Sequence, residues 1–260
     1  MGKHYTCNIM KGGAMLRECL LLLQEWRPGE KKDEFIDRVA GQNLIGKASR
    51  KRVRDIINRV FFRRFLGEGE SAALNLKLLL SFGYNEDLIK LFYYHTALAD
   101  ELLYDFATHW LYELYYSGRY RLDTSDGVAF IEQLGSAAPQ WSGSIKTRTA
   151  RGLLAACRDF GLLSGAARKT FAPIHLPFLA FLYVAYYLKK NVPSAARLLA
   201  HPDWRLFLLS ADQVEQLFLE AHQNGYLGYY SAGGITRIEW KYDSFDEFFH
   251  AFTKRPDRRP

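Results

Sequence analysis

The stretch that decides the fold is 141-WSGSIKTRTARGLLAACRDFGLLSGAARKTF-171. Its first half reads as a helix of about Ile145 to Phe160, with Ser144 as the cap. Leu153, Leu154, Cys157 and Phe160 recur at helical spacing on one side. The first turns hold Lys146, Arg148 and Arg151 and no acidic residue, and Arg148, Arg151 and Arg158 share the opposite, outward stripe. A helix start carries a partial positive charge, so cations placed there are unfavourable until an anion arrives. The second half places two short extended runs around a Gly-Ala-Ala turn, with Arg168 and Lys169 at the tip. A helix followed by a basic-tipped hairpin is the closing half of a winged-helix unit. There the helix start approaches DNA bases and the hairpin meets the phosphate backbone.

Upstream, 47-KASRKRVRDIINRVFFRR-64 repeats the anomaly. Ser49 is a good cap, yet the first turn is Arg50, Lys51 and Arg52. Val53, Ile56, Ile57, Val60, Phe61 and Phe65 occupy about half of the wheel, while Arg52, Arg59 and Arg63 share the far edge. An external phosphate backbone suits both the helix start and the guanidinium row. The ordinary alternative is a solvated basic face. Asn85 followed by Glu86 and Asp87 starts a helix with the usual polarity, so the chain follows the rule elsewhere.

Charge is blocked along the chain. Residues 47–66 hold eight Lys/Arg against one acid, residues 67–140 four against eleven, and residues 141–169 six against one. Two basic blocks in a chain of net charge +7 are what a polyanion-binding surface needs.

Helical periodicity extends over Ala14–Trp26, Glu30–Ala40, Arg50–Leu66, Ser71–Phe82, one long run Glu86–Ser117, and Ser125–Leu134. Gly67, Gly83 and Gly118 mark helix ends. The small polar stretch 135-GSAAPQWSGS-144 is the expected domain boundary. The chain is thus expected to be mainly α, with an N-terminal helical domain over 1–137 and a winged-helix-like domain over 138–260. In the latter the helix-plus-hairpin outline occurs a second time. Ser210 and Gln213 form a capping-box spacing, a helix runs to about Asn224, and two strands flank Gly233-Gly234 with Thr236, Ile238, Trp240 and Tyr242 on one face. The last residues, 254-KRPDRRP-260, are expected to fray.

Other chemistry is sparse. Three scattered cysteines offer no metal or redox pair and suit a reducing cytosol. The apolar run 170–188 is broken by Pro173 and Pro177. Its helical part, Phe178–Leu188, would span about 16 Å against a hydrocarbon core of about 30 Å. A buried helix is therefore expected, and neither a membrane span nor a secretory leader. Most aromatic rings, such as Phe92, Tyr104, Phe106 and Trp110, lie in helices without interleaved cations and read as core. Pro202-Asp203 with Glu239-Trp240-Lys241 imitates a metal-dependent nuclease pattern, but Asp203 falls at a helix start. No cofactor, metal or catalytic residue is expected.

Three segments, 5-YTCNIMKGGAMLRECLLLL-23, 43-NLIGKASRKRVRDIINRVFFRRF-65 and 141-WSGSIKTRTARGLLAACRDFGLLSG-165, resemble in order and spacing the BrxA family of BREX phage-defence systems. The resemblance covers roughly residues 5–180. It implies a small, non-enzymatic, mostly helical double-stranded DNA binder with a winged-helix portion, encoded beside a methyltransferase, an ATPase and a phosphatase-like protein. An older label for such proteins is inner-membrane protein, which the interrupted apolar run does not support. The residues expected to hold nucleic acid are Lys47, Ser49, Arg50, Lys51, Arg52, Arg59 and Arg63 in the first block. In the second they are Ser144, Lys146, Arg148, Arg151, Arg168 and Lys169. An assembly adaptor that docks on acidic partner proteins, and an RNA binder, are the alternatives.

Overall fold

The computed structural model describes residues 3–83 and 85–254, leaving the Asn85 side chain aside. The Asn85 cap and the expected fraying beyond Lys254 lie outside the described residues. The chain is mainly helical and divides into two compact units, Met1–Pro173 and Ile174–Pro260.

The first unit opens with α1 (Ile9–Gly12), α2 (Leu16–Glu25), α3 (Lys32–Gly41) and α4 (Arg50–Ile56), the last running through a π-helical turn Ile57–Phe62 into α5 (Arg63–Phe65). The apolar stripe of α4 and α5 explains their position. Val53, Ile56, Ile57, Val60, Phe61 and Phe65 are all buried. Phe61 packs on Phe35 of α3 at 5.7 Å between ring centres and on Phe65 at 5.6 Å. Each such side chain stabilises the fold by about 1.5–3 kcal/mol when fully buried.

Next come α6 (Ser71–Ser81), α7 (Asn85–Ala99), α8 (Glu101–Asp105), a second π-helical turn Phe106–Leu111, and α9 (Tyr112–Tyr116). The single long helix expected over 86–117 is therefore interrupted. Asp100 adopts an extended backbone, and its side chain accepts a hydrogen bond from the Leu103 N–H at 3.2 Å, starting α8 afresh.

Strand β1 (Arg121–Leu122) leads into α10 (Thr124–Gln133), which a reciprocal Asp123/Asp126 capping box starts; α11 (Gly143–Asp159), β2 (Leu163–Ser164) and β3 (Lys169–Phe171) follow. The three antiparallel strands lie in the order β1-β3-β2, with Leu122 opposite Lys169 and Leu163 opposite Phe171. Gly127 permits the close crossing of α10 and α11, since a Cβ there would stand 2.8 Å from that of Ala150. This crossing and the β1–β3 pairing keep both sides of residue 137 in one compact unit. The division at Pro173 thus falls beyond the stretch 135–144, which instead connects α10 to α11.

The second unit is built around α12 (Phe178–Lys189), which buries residues on every side. Phe181 meets Phe218 at 5.0 Å and Trp204 at 5.5 Å, and Tyr186 stacks on Phe248 at 5.9 Å. These partners come from the helix α14 (Ala211–Gln223), the 3-10 turn Pro202–Phe207 that follows α13 (Ala195–Leu199), and the terminal α15 (Phe245–Thr253). The Ser210/Gln213 capping box starts α14 as its spacing predicts. β4 (Leu227–Ala232) and β5 (Ile235–Trp240) pair antiparallel around Gly233-Gly234, both at positive φ. Thr236, Ile238 and Trp240 alternate with the more exposed Ile235, Arg237 and Glu239. Helix plus hairpin does occur twice, but this sheet has two strands and not three. Among the described residues, no helix is long and apolar enough to cross a membrane.

Candidate nucleic-acid interface

Helix α11 presents the second block. Its cap is Ser142, whose hydroxyl accepts from the Ile145 N–H at 3.4 Å, so the assignment of that role to Ser144 is corrected. Both serines satisfy the local chemistry, and the chain enters the helix two residues earlier. Ser144 is exposed and lies 3.1 Å from the Ser142 hydroxyl. Arg148 and Arg151, three residues apart, share an exposed face and make no ion pair among the described residues. Lys146 faces Glu132 at 3.4 Å, and Arg158 is held by Asp159 at 2.6 Å.

The hairpin tip differs from expectation at one position. Arg168 is exposed and makes no ion pair among the described residues, whereas Lys169 is buried, donating to the Ala166 carbonyl at 2.6 Å. Burial pushes the Lys169 ammonium below its ordinary range. The two-residue period of a strand turns Lys169 inward when Arg168 and Thr170 face out. Lys169 therefore closes its own turn and is not presented at the tip.

In the first block Ser49 is the cap, accepting from the Arg52 N–H at 3.2 Å, and the first turn of α4 contains no acid. Several cations there are engaged. Lys47 binds Glu18 at 2.6 Å, Arg50 binds Asp37, and Arg59 lies 3.5 Å from Asp55. Although burial opposes its ionisation, Lys47 holds the Glu18 carboxyl below the usual carboxylate range. The Arg50 and Arg59 pairs are exposed, the class worth about 0–1 kcal/mol, and open readily for a stronger anion. Arg52 donates to the Lys11 carbonyl at 3.2 Å, and Lys51 and Arg63 are exposed and make no ion pair among the described residues.

Three residues escaped the sequence reading. Arg54 is an exposed cation of the same run, without an ion pair among the described residues, and it lies off the Arg52/Arg59/Arg63 edge. Arg64 donates to the Gly13 carbonyl at 2.7 Å and the Ala14 carbonyl at 2.9 Å, and burial lowers its affinity for its proton. Lys11, Arg52, Arg59, Arg63 and Arg64 line a single cavity with Asp55 and Asp100. No local signal marks Lys11 or Arg64, because their neighbours are about fifty residues away in the chain. Asp203, buried beside His201 at 3.4 Å, lies in its 3-10 turn, and among the described residues no group of three or more His, Cys, Asp or Glu could hold a metal.

The geometry defines a class: a mainly helical protein whose strand–helix–helix–hairpin segment carries unpaired arginines on one helix and one turn. The chain belongs to the BrxA family, whose model matches residues 3–185 and so spans both basic blocks and the hairpin. Membership places it among the components of BREX phage-defence systems. No curated protein matches the chain.

Proposed function

We propose that this BREX component is a cytoplasmic, non-enzymatic accessory protein that binds double-stranded DNA. The segment from β1 to β3 acts as a winged helix, with α11 as the recognition helix and Arg168 on the wing. The observation that carries this reading is the pair Arg148 and Arg151. They stand in the second and third turns of α11, on an exposed face, and among the described residues no carboxylate pairs with them. Exposed, unpaired guanidinium forks suit bidentate contacts to phosphate or to guanine edges. The first block would add backbone contacts from Lys51 and from Arg50, which would exchange its weak internal pair for a phosphate. Partnership with the methyltransferase, ATPase and phosphatase-like proteins of the system follows from the family reading.

Fluorescence anisotropy on a duplex of about 30 base pairs tests the proposal. The double variant R148E/R151E is expected to lose at least tenfold in affinity while its circular dichroism stays unchanged. Undiminished binding by that variant would refute the assignment of α11. An RNA duplex of equal length competing equally well would replace DNA by A-form backbone as the ligand.

A further inference from the structure

Between α1, the helix formed by α4 and α5, and the end of α7 lies a cavity of about 50 Å³. A single water needs roughly 10–15 Å³ of such space, so this one accommodates a group of several heavy atoms. It is much smaller than the roughly 300–1,000 Å³ of a cofactor pocket.

The lining is unusual in its charge. Five cations, Lys11, Arg52, Arg59, Arg63 and Arg64, meet two carboxylates, Asp55 and Asp100. Arg64 is committed to the Gly13 and Ala14 carbonyls, and Asp100 to the start of α8. Asp55 lies 3.5 Å from Arg59. Among the described residues Lys11 and Arg63 make no ion pair, and Arg52 meets the Lys11 carbonyl. Arg63 and Arg64 both attract the buried Asp100 carboxylate, so five cations face two carboxylates and an excess of three positive charges borders the concave space, where mutual repulsion falls when an anion enters. The volume suits one tetrahedral oxyanion. Guanidinium groups supply several donors each, which matches the many acceptor positions of a terminal phosphoryl group better than the two free oxygens of a diester.

We propose that this cavity is a binding site for a single terminal phosphoryl group, gripped by Lys11, Arg52 and Arg63, with Arg59 swinging from Asp55 to assist. Two sources carry that chemistry, inorganic phosphate and the 5′-phosphate of a DNA end. Only the second rests on the duplex-binding reading given above.

Isothermal titration of the full chain with inorganic phosphate, against chloride at matched ionic strength, is the test. One saturable site is expected, weakened at least tenfold in R63Q and in R52Q and unchanged in R237Q, an exposed arginine of the second unit. Circular dichroism monitors folding, and Arg63 is exposed, so R63Q tests binding and not stability. Absence of saturable binding, or binding indifferent to both R63Q and R52Q, overturns the proposal. A second arm compares 5′-phosphorylated with 5′-hydroxyl duplexes. Preference for the phosphorylated end identifies DNA as the source, and equal affinity alongside saturable phosphate binding identifies the free anion. Salt-dependent duplex binding without phosphate binding would sink this inference and leave the DNA reading standing; the reverse result would do the opposite.

Discussion

Gly152 of α11 stands directly against the backbone of Met10 in α1. A Cβ at that position would come 3.0 Å from the Met10 Cα and 3.2 Å from its nitrogen. The short first helix is thereby seated on the helix that bears Arg148 and Arg151. The residues just after it, Gly13 and Ala14, are gripped by Arg64 of the first basic block. One small segment thus ties the two basic helices together.

That seat leaves no room for a side chain. Replacing Gly152 by Val should cost about 1–3 kcal/mol through overpacking and lower the melting temperature by roughly 2–10 °C. Gly143→Ala, where nothing lies within 4 Å, should leave the melting temperature within about 2 °C of the parent. Differential scanning calorimetry separates the two outcomes, and equal effects would deny the close approach.

Arg64 acts as a structural clamp. Arg64→Met removes charged donors from two carbonyls and should destabilise the chain by about 2–4 kcal/mol in urea titration. Arg63→Met, one residue earlier but exposed, should change stability by less than about 0.5 kcal/mol.

The hairpin separates the exposed Arg168 from its buried neighbour Lys169. Arg168→Ala is expected to reduce the magnitude of the salt slope of duplex binding by about one, the signature of one lost phosphate. Lys169→Met should leave that slope alone while loosening the turn it closes. If Lys169→Met changed the slope instead, the buried placement of Lys169 would be wrong.

His95 makes stability depend on pH. It is fully buried beside Phe65 and Tyr94, and burial pushes its pKa down to about 3. The unfolded chain takes up a proton near pH 6.5 that the folded chain refuses. The stabilising contribution is therefore intact above pH 6.5 and is lost as pH falls toward 3. Between pH 7 and 5 the loss should be roughly 2 kcal/mol, and His95→Phe should flatten that part of the profile.

Much of this architecture is written in local patterns. Ser49, Ser210 with Gln213, and the apolar stripes of α4 and α11 announce their elements because caps and helical periods are short-range chemistry. Asp100 did not announce itself, since apolar residues continue on both sides and only the realised backbone shows that its carboxylate starts a new helix. Ser142 and Ser144 are chemically equivalent caps, so geometry alone decides between them. Lys169 looked like a tip residue until strand pairing with Leu122 fixed which way it turns. Arg64 and Lys11 are invisible locally because the groups they meet come from distant segments. The stretch 135–144 has the composition of a linker, yet the crossing at Gly127 and Ala150 makes it an internal connection.

The central claim is that exposed arginines on two helices and one hairpin neutralise DNA phosphates. Measuring duplex affinity against salt concentration tests it most directly. With about six phosphates engaged, log affinity should fall against log salt with a slope near −5, and R148E/R151E should make that slope shallower. Affinity that does not respond to salt, or no measurable duplex binding at low salt, would contradict the account.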